Sequence, residues 1–253
     1  MATVLTLDVG NSNYTTIVYQ ENQKIIYNNR HESVRDEHTL KQYYQELKKS
    51  IPCEIDMIII SSVIPSMTQA LLLYAKNYFN CPVINCDLAL SQLQTKLDQP
   101  KELGADFIAS AIAAKHKYSL PALIIDMGTA NKISVIDQDG VLLGGIIQPG
   151  LGQMMSSYQA ILSHLPNASL RVPDSVIGTN TIDCIQSGVT YGALYGLLGM
   201  AKQMEKEINQ SCSIILTGGY ANLYKPQPNV ICDQTLINDG LYYLAKHYLG
   251  EKI

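Results

Sequence analysis

Residues 4–20 read VLTLDVGNSNYTTIVYQ, and residues 123–137 read LIIDMGTANKISVID. With Asp8 laid on Asp126, Gly10 falls on Gly128, Asn11 on Thr129 and Asn13 on Asn131. Each segment is an apolar strand, a D-x-G turn and a second strand rich in β-branched residues, which is the pattern of a β-hairpin. A polar turn follows in each, Glu21-Asn22-Gln23 in one and Asp137-Gln138-Asp139-Gly140 in the other. Two such hairpins about half a chain apart predict a duplicated α/β fold with two similar domains.

The segments between them alternate in an α/β manner. Residues 36–49 predict an amphipathic helix, 55–63 a buried strand stopped by Pro65, and 66–79 a second helix. A strand at CPVIN and a helix over 104–118 follow. Pro121 marks the expected junction, giving domains 1–118 and 119–253. After the second hairpin come the strand LLGGIIQ, a helix over 150–165, a long helix from Asn180 to Asn209, the strand SIILTGG and a helix near 234–249. The long helix carries Val189, Ala193, Leu197 and Met200 on one stripe, with Gly188, Gly192, Gly196 and Gly199 as a small-residue surface. We expect that helix to build a homodimer; burial inside its own domain is the other reading.

The bulk properties exclude several classes. The chain has 253 residues, 47% of them hydrophobic and 16% charged, and a net charge of -4. That charge argues against a nucleic-acid partner, which needs a basic footprint, and against a polybasic membrane anchor. No apolar run reaches membrane-span length, and Met1–Leu7 is too short for a signal peptide. A cytoplasmic protein is expected. The six cysteines form no C-x-x-C pair, so reduced thiols are expected.

The chemistry gathers at the turns. A Gly in a tight turn lets backbone N–H groups approach a phosphate, and the strand-end Asp offers an oxygen to Mg²⁺. Ser12, Asn13 and Thr15 add side-chain donors. A single D-x-G is equally a plain hairpin turn; two copies in matching context favour two hairpins that hold one nucleotide's phosphates in a central cleft. Thr217-Gly218-Gly219, directly after the strand SIIL, is the third element of this kind.

That order of elements resembles the ATPase fold of sugar kinases, acetate kinases and actin. The combination of DVGNSN (8–13), SSVIP (61–65), LGAD (103–106), DMGTA (126–130), GGIIQPG (144–150), IGTNT (177–181), QSG (186–188) and LTGG (216–219) resembles the type III pantothenate kinases. The resemblance implies two ribonuclease-H-like (actin-like ATPase) domains with a central cleft, and transfer of the γ-phosphate of ATP to the primary hydroxyl of pantothenate. It implies that Asp8, Val9, Gly10, Asn11, Ser12, Asn13, Tyr14 and Thr15 form the phosphate-binding hairpin, with Asp8 near Mg²⁺. Thr129, Gly218 and Gly219 join the ATP site. Asp106 is the implied general base. Gly104, Ala105, Phe107, Leu97, Gly150 and Thr181 are implied to meet pantothenate, and Asp126 to hold a monovalent cation, K⁺ or NH₄⁺. A homodimer is implied as well.

Three positions depart from that family's pattern. Phe107 stands where Arg usually follows the catalytic Asp, and Leu97 where a Tyr usually precedes the D-x-P segment. The second phosphate turn usually reads G-T-A-T-T and here reads GTANK, placing Asn131 and Lys132. The departures keep two other readings open: a degenerate paralogue with a binding or regulatory role, and a kinase of the same fold acting on another small alcohol.

Overall fold

The structure, a computed structural model, describes residues 2–162 and 164–250. The chain divides into two compact units, Met1–Lys117 with Thr235–Ile253, and Tyr118–Gln234.

The first unit is built on one five-stranded sheet. Its strands are β1 (Val4–Val9), β2 (Asn13–Gln20), β3 (Lys24–Glu32), β4 (Met57–Ser62) and β5 (Val83–Asn85), in the order β3-β2-β1-β4-β5. Strands β1, β2 and β3 form an antiparallel meander, and β4 and β5 run parallel to β1. The helices are α1 (Glu37–Ser50), α2 (Pro65–Tyr78), the short α3 (Leu88–Ser91) and α4 (Ala105–Lys117). Asp36 caps α1 by accepting from the Thr39 N–H at 2.9 Å, and Pro65 stands at the first turn of α2. Proline fits there because the first N–H groups of a helix have no intrahelical partner. Leu7, Val9, Tyr14, Leu40, Tyr44 and Ile60 are buried in this unit's core.

The second unit repeats the plan. It holds β6 (Ala122–Met127), β7 (Ala130–Ile136), β8 (Leu142–Pro149), α5 (Leu151–Ile161), α6 (Thr181–Ile208), β9 (Ser213–Thr217) and β10 (Val230–Cys232). Its sheet order is β10-β9-β6-β7-β8, with β6, β7 and β8 antiparallel and β9 and β10 parallel to β6. Reversed, that order maps strand for strand onto the first sheet. The duplication expected from the two hairpins is therefore present in the topology.

Two expectations need correction. The last helix, α7 (Leu236–Tyr248), belongs to the first unit, so a second domain running through residue 253 does not hold. This helix packs on α4, β1, β2 and β4. A Cβ on Gly240 would lie 1.8 Å from the Ala109 carbonyl oxygen, so the α4–α7 approach requires glycine there. The contact is reinforced by polar groups: the Asp239 carboxylate accepts from Tyr19 Oη at 2.6 Å and Thr235 Oγ1 at 2.9 Å, and pairs with the Lys117 ammonium.

The second correction is to the ungapped alignment of the hairpins. In the first, Val9 pairs with Tyr14, leaving residues 10–13 in the turn. In the second, Met127 pairs with Asn131, leaving residues 128–130. The second turn is one residue shorter, so Tyr14 matches Asn131, and Thr15 matches Lys132. Asp8 consequently faces Thr15 across its hairpin, while Asp126 faces Lys132.

Candidate active site

The implied site residues fall into two groups. Asp8, Val9, Gly10, Asn11, Ser12, Asn13, Tyr14, Thr15, Leu97, Gly104, Ala105, Asp106 and Phe107 lie in the first unit; Asp126, Thr129, Gly150, Thr181, Gly218 and Gly219 lie in the second.

In the first unit the parallel strands β1, β4 and β5 end side by side. Open α/β sheets present ligands at the carboxyl ends of such strands. Asp8 at the end of β1 is flanked in register by Thr15 on β2 and Ser61 on β4. Ser61 is fully buried and its Oγ has no hydrogen-bond partner among the described residues. The turn itself is closed by the Gly10 N–H donating to the Asn13 carbonyl at 2.9 Å. Ser33 Oγ donates to the Gly10 carbonyl at 2.6 Å, and Arg35 Nη2 to the Asn11 carbonyl at 2.9 Å. Arg35 therefore brings a guanidinium to the Gly10–Asn13 turn, a residue that no motif in the sequence singled out. Val9 and Tyr14 point the other way, into the core, and Tyr14 Oη donates to the Val34 carbonyl at 2.7 Å. Those two can offer a ligand only their backbone.

Asp106 stands in the first turn of α4, where the helix dipole favours a carboxylate. Its Oδ1 accepts from the Phe107 N–H at 2.9 Å. Gly104 lies against it: a Cβ there would come within 2.5 Å of Asp106 Oδ1, so glycine makes room for the carboxylate. Cys86, following β5, ties α4 to the strand ends by donating from Sγ to the Ala105 carbonyl at 3.6 Å. Burial pushes the Cys86 thiol well up, and the negative fields of Asp87, Asp8 and Asp106 add to it. Leu97 is partly buried in an irregular segment, its N–H donating to Thr95 Oγ1 at 3.1 Å.

In the second unit the turn after β6 is packed by its neighbours. Gly150, the N-cap of α5, lies against the carbonyls of Gly128 and Thr129. Gly218 has φ +93°, and a Cβ there would stand 2.3 Å from Asp126 Oδ1. The Tyr220 N–H donates to the Met127 carbonyl at 2.9 Å, fixing the T-G-G loop beside the D-x-G turn. Asn131 is fully buried, and its Oδ1 lacks a hydrogen-bond partner among the described residues. Lys132 Nζ lies 2.8 Å from Asp126 Oδ2, both side chains being 15% exposed. Thr181 opens α6 and is exposed, next to the Asn180 cap, whose side chain accepts from the Asp183 N–H at 3.0 Å.

Residues 4–203 match the family described as type III pantothenate kinase. A type III pantothenate kinase from Halalkalibacterium halodurans is 34% identical over 252 residues, covering 96% of this chain and 98% of the relative. The chain belongs to the type III pantothenate kinases. Among solved structures, a Baf family transcriptional activator from Campylobacter jejuni, so described, is similar with a TM-score of 0.63 at 21% identity, covering 97% of this chain and 99% of that one. A protein from Sinorhizobium meliloti described as a 2-dehydro-3-deoxygalactonokinase gives 0.62 at 14% identity, over 99% and 98% of the two chains. At these identities the likeness concerns the fold, which is that of the actin-like ATPases and sugar kinases.

Proposed function

We propose that this pantothenate kinase transfers the γ-phosphoryl group of ATP to the primary hydroxyl of pantothenate, the first step towards coenzyme A, with Asp106 as general base. The observation that carries this residue assignment is that Asp8, at the end of β1, and Asp106, in the first turn of α4, lie in the same unit, with α4 tied to the strand ends by Cys86 Sγ donating to the Ala105 carbonyl at 3.6 Å. Phosphoryl transfer needs chiefly positioning, neutralisation of phosphate charge and one acceptor for the hydroxyl proton. The hydroxyl oxygen forms a bond to Pγ as the Pγ–O bond to ADP breaks, and the hydroxyl proton goes to an Asp106 carboxylate oxygen. The Gly10–Thr15 turn, Thr129, Gly218 and Gly219 contact ATP. Arg35 adds positive charge beside the first turn.

Asp8 fits Mg²⁺. It is a strand-end carboxylate flanked by two neutral oxygen-bearing side chains, and the buried Ser61 Oγ on the neighbouring strand has no hydrogen-bond partner among the described residues. Mg²⁺ takes one or two carboxylates together with water and substrate phosphates, and supplies charge neutralisation there. The expected monovalent cation at Asp126 does not fit, because the Lys132 ammonium already pairs with that carboxylate.

Gly104, Ala105, Phe107, Leu97, Gly150 and Thr181 are assigned to pantothenate. With Phe107 in place of a cation, the substrate carboxylate needs backbone N–H groups or the Thr181 hydroxyl, since an unpaired buried charge is costly. We further infer a homodimer built on the exposed face of α6 and a cytoplasmic location. Val189, Ala193 and Leu197 do not serve that dimer, because they are buried in their own unit's core. Instead Gly188, Gly192, Gly196 and Gly199 are open, beside exposed Tyr195 and Met200. Among the described residues no helix is long and apolar enough to cross a membrane. ADP formation with and without pantothenate tests the activity.

A further inference from the structure

The two hairpins place different partners opposite their strand-end carboxylates. Opposite Asp8 stands Thr15, a short neutral side chain; opposite Asp126, at the matching position, stands Lys132. Lys132 Nζ is 2.8 Å from Asp126 Oδ2. The other oxygen, Oδ1, faces Gly218. The pair is largely withdrawn from solvent, with both side chains 15% exposed, so it is weakly screened. A lysine head group is a compact primary ammonium, a point charge on a flexible stem. It carries the same charge as K⁺ or NH₄⁺. A free cation bound to the same carboxylate would sit within a few ångströms of the ammonium, and like charges that close repel strongly in a partly buried site.

We propose that the Lys132 ammonium is a built-in replacement for a dissociable monovalent cation, so that this kinase works without K⁺ or NH₄⁺. The inference rests on the kinase reading above and reverses one expectation attached to it. The positive charge beside the second phosphate turn is supplied by the chain itself, at fixed stoichiometry and independent of salt composition. Removing it creates a vacancy of defined charge beside Asp126. Lys132→Thr, which installs the residue type found at the matching position of the first hairpin, makes that vacancy with a short neutral side chain.

The experiment compares wild type with Lys132→Thr and Lys132→Met in choline chloride, KCl and NH₄Cl at matched ionic strength, with Mg²⁺–ATP. Two readouts are taken: pantothenate-dependent ADP formation, and the thermal midpoint of the ligand-free protein. The wild-type rate is expected to agree within about twofold across the three salts, and its midpoint not to respond to K⁺ beyond the choline control. Lys132→Thr is expected to lose about tenfold or more in choline chloride, to regain most of it in KCl or NH₄Cl, and to show a K⁺-specific rise in midpoint. A wild type that needs K⁺ for turnover, or whose midpoint rises specifically with K⁺, overturns the proposal. The wild-type arms stand alone if a variant fails to fold. A wild type inactive in every salt strikes the kinase reading; the midpoints then decide this proposal separately.

Discussion

Asn238, on the last helix, donates through Nδ2 to Thr6 Oγ1 on the first strand at 2.9 Å, across 232 residues of sequence. Both residues are buried. The same Nδ2 reaches the Thr15 carbonyl at 3.3 Å, so α7 touches the strand that follows the Gly10–Asn13 turn. Next to it, Asp239 is 3% exposed and bound by Tyr19, Lys117 and Thr235. The end of the chain thereby braces the unit that holds Asp8 and Asp106.

Breaking that brace should be costly. Asp239→Ala leaves the Lys117 ammonium without its buried partner, a change of about 3–5 kcal/mol in stability. Asn238→Ala removes the donor to Thr6 Oγ1, which keeps its own bond to the Ile17 carbonyl at 3.1 Å, so the loss is about 0.5–1.5 kcal/mol. Urea denaturation of the two variants should give that order. Equal and negligible losses would mean that α7 is only loosely attached.

How much of this was legible differs by element. The two D-x-G hairpins were plain, because each apolar strand meets a turn residue set that only a few conformations accept. The helix spans were close to those observed, since their apolar periodicity is local. Strand β3 was not read: KIIYNNRHE has no alternation, and most of its side chains are exposed or half-buried. The one-residue difference in turn length is hidden in the sequence because the segments align without a gap as far as the identical pair Asn13 and Asn131. The docking of α7 depends on contacts between residues as far apart as 122 positions, for Lys117 and Asp239, and 232 positions, for Thr6 and Asn238. Its one local clue was the polar pair Asn238-Asp239 within an apolar stripe. On α6 the apolar stripe supports two readings, a dimer face and burial in its own domain, and Val189, Ala193 and Leu197 take the second. At the site, the D-x-G and LGAD segments were read; Arg35 and Cys86 were not, because neither belongs to a motif.

The thiols should separate by reactivity. Alkylation needs the thiolate. Burial pushes Cys86 well up, and pushes Cys81 and Cys212 up to about 11. Cys184 and Cys232 are exposed. At pH 8, iodoacetamide followed by peptide mapping should label Cys184 and Cys232 first and leave Cys86 unmodified in the folded protein. For Cys81 and Cys212 the thiolate fraction grows as pH rises towards 11, so their labelling should increase across pH 8–10. Early modification of Cys86 would contradict its placement between β5 and α4.

The open face of α6 gives a test of the dimer. Among the described residues nothing lies within 4 Å of where a Cβ on Gly196 would stand, so Gly196→Leu should leave the unit folded. If that face meets a second copy, wild type should scatter light as a dimer at micromolar concentration and Gly196→Leu as a monomer. A monomeric wild type, or a dimer indifferent to the substitution, would remove α6 from the interface.

Asp8→Asn should abolish phosphoryl transfer while leaving the thermal midpoint near that of wild type, because Asp8 lies at a polar strand end and its replacement opens no cavity. Raising Mg²⁺ should not restore the rate. Normal turnover by the folded variant would remove Asp8 from the metal site.

The most direct measurement of the whole account is pantothenate-dependent ADP formation by wild type and by Asp106→Asn, with ATP binding followed in parallel. The account predicts that wild type forms ADP only when pantothenate is present. It predicts that Asp106→Asn lowers kcat by about 10²–10⁴, the usual worth of a general base, with ATP affinity little changed. ADP formation by wild type that ignores pantothenate, or an Asp106→Asn variant that keeps its kcat and loses ATP, would contradict it.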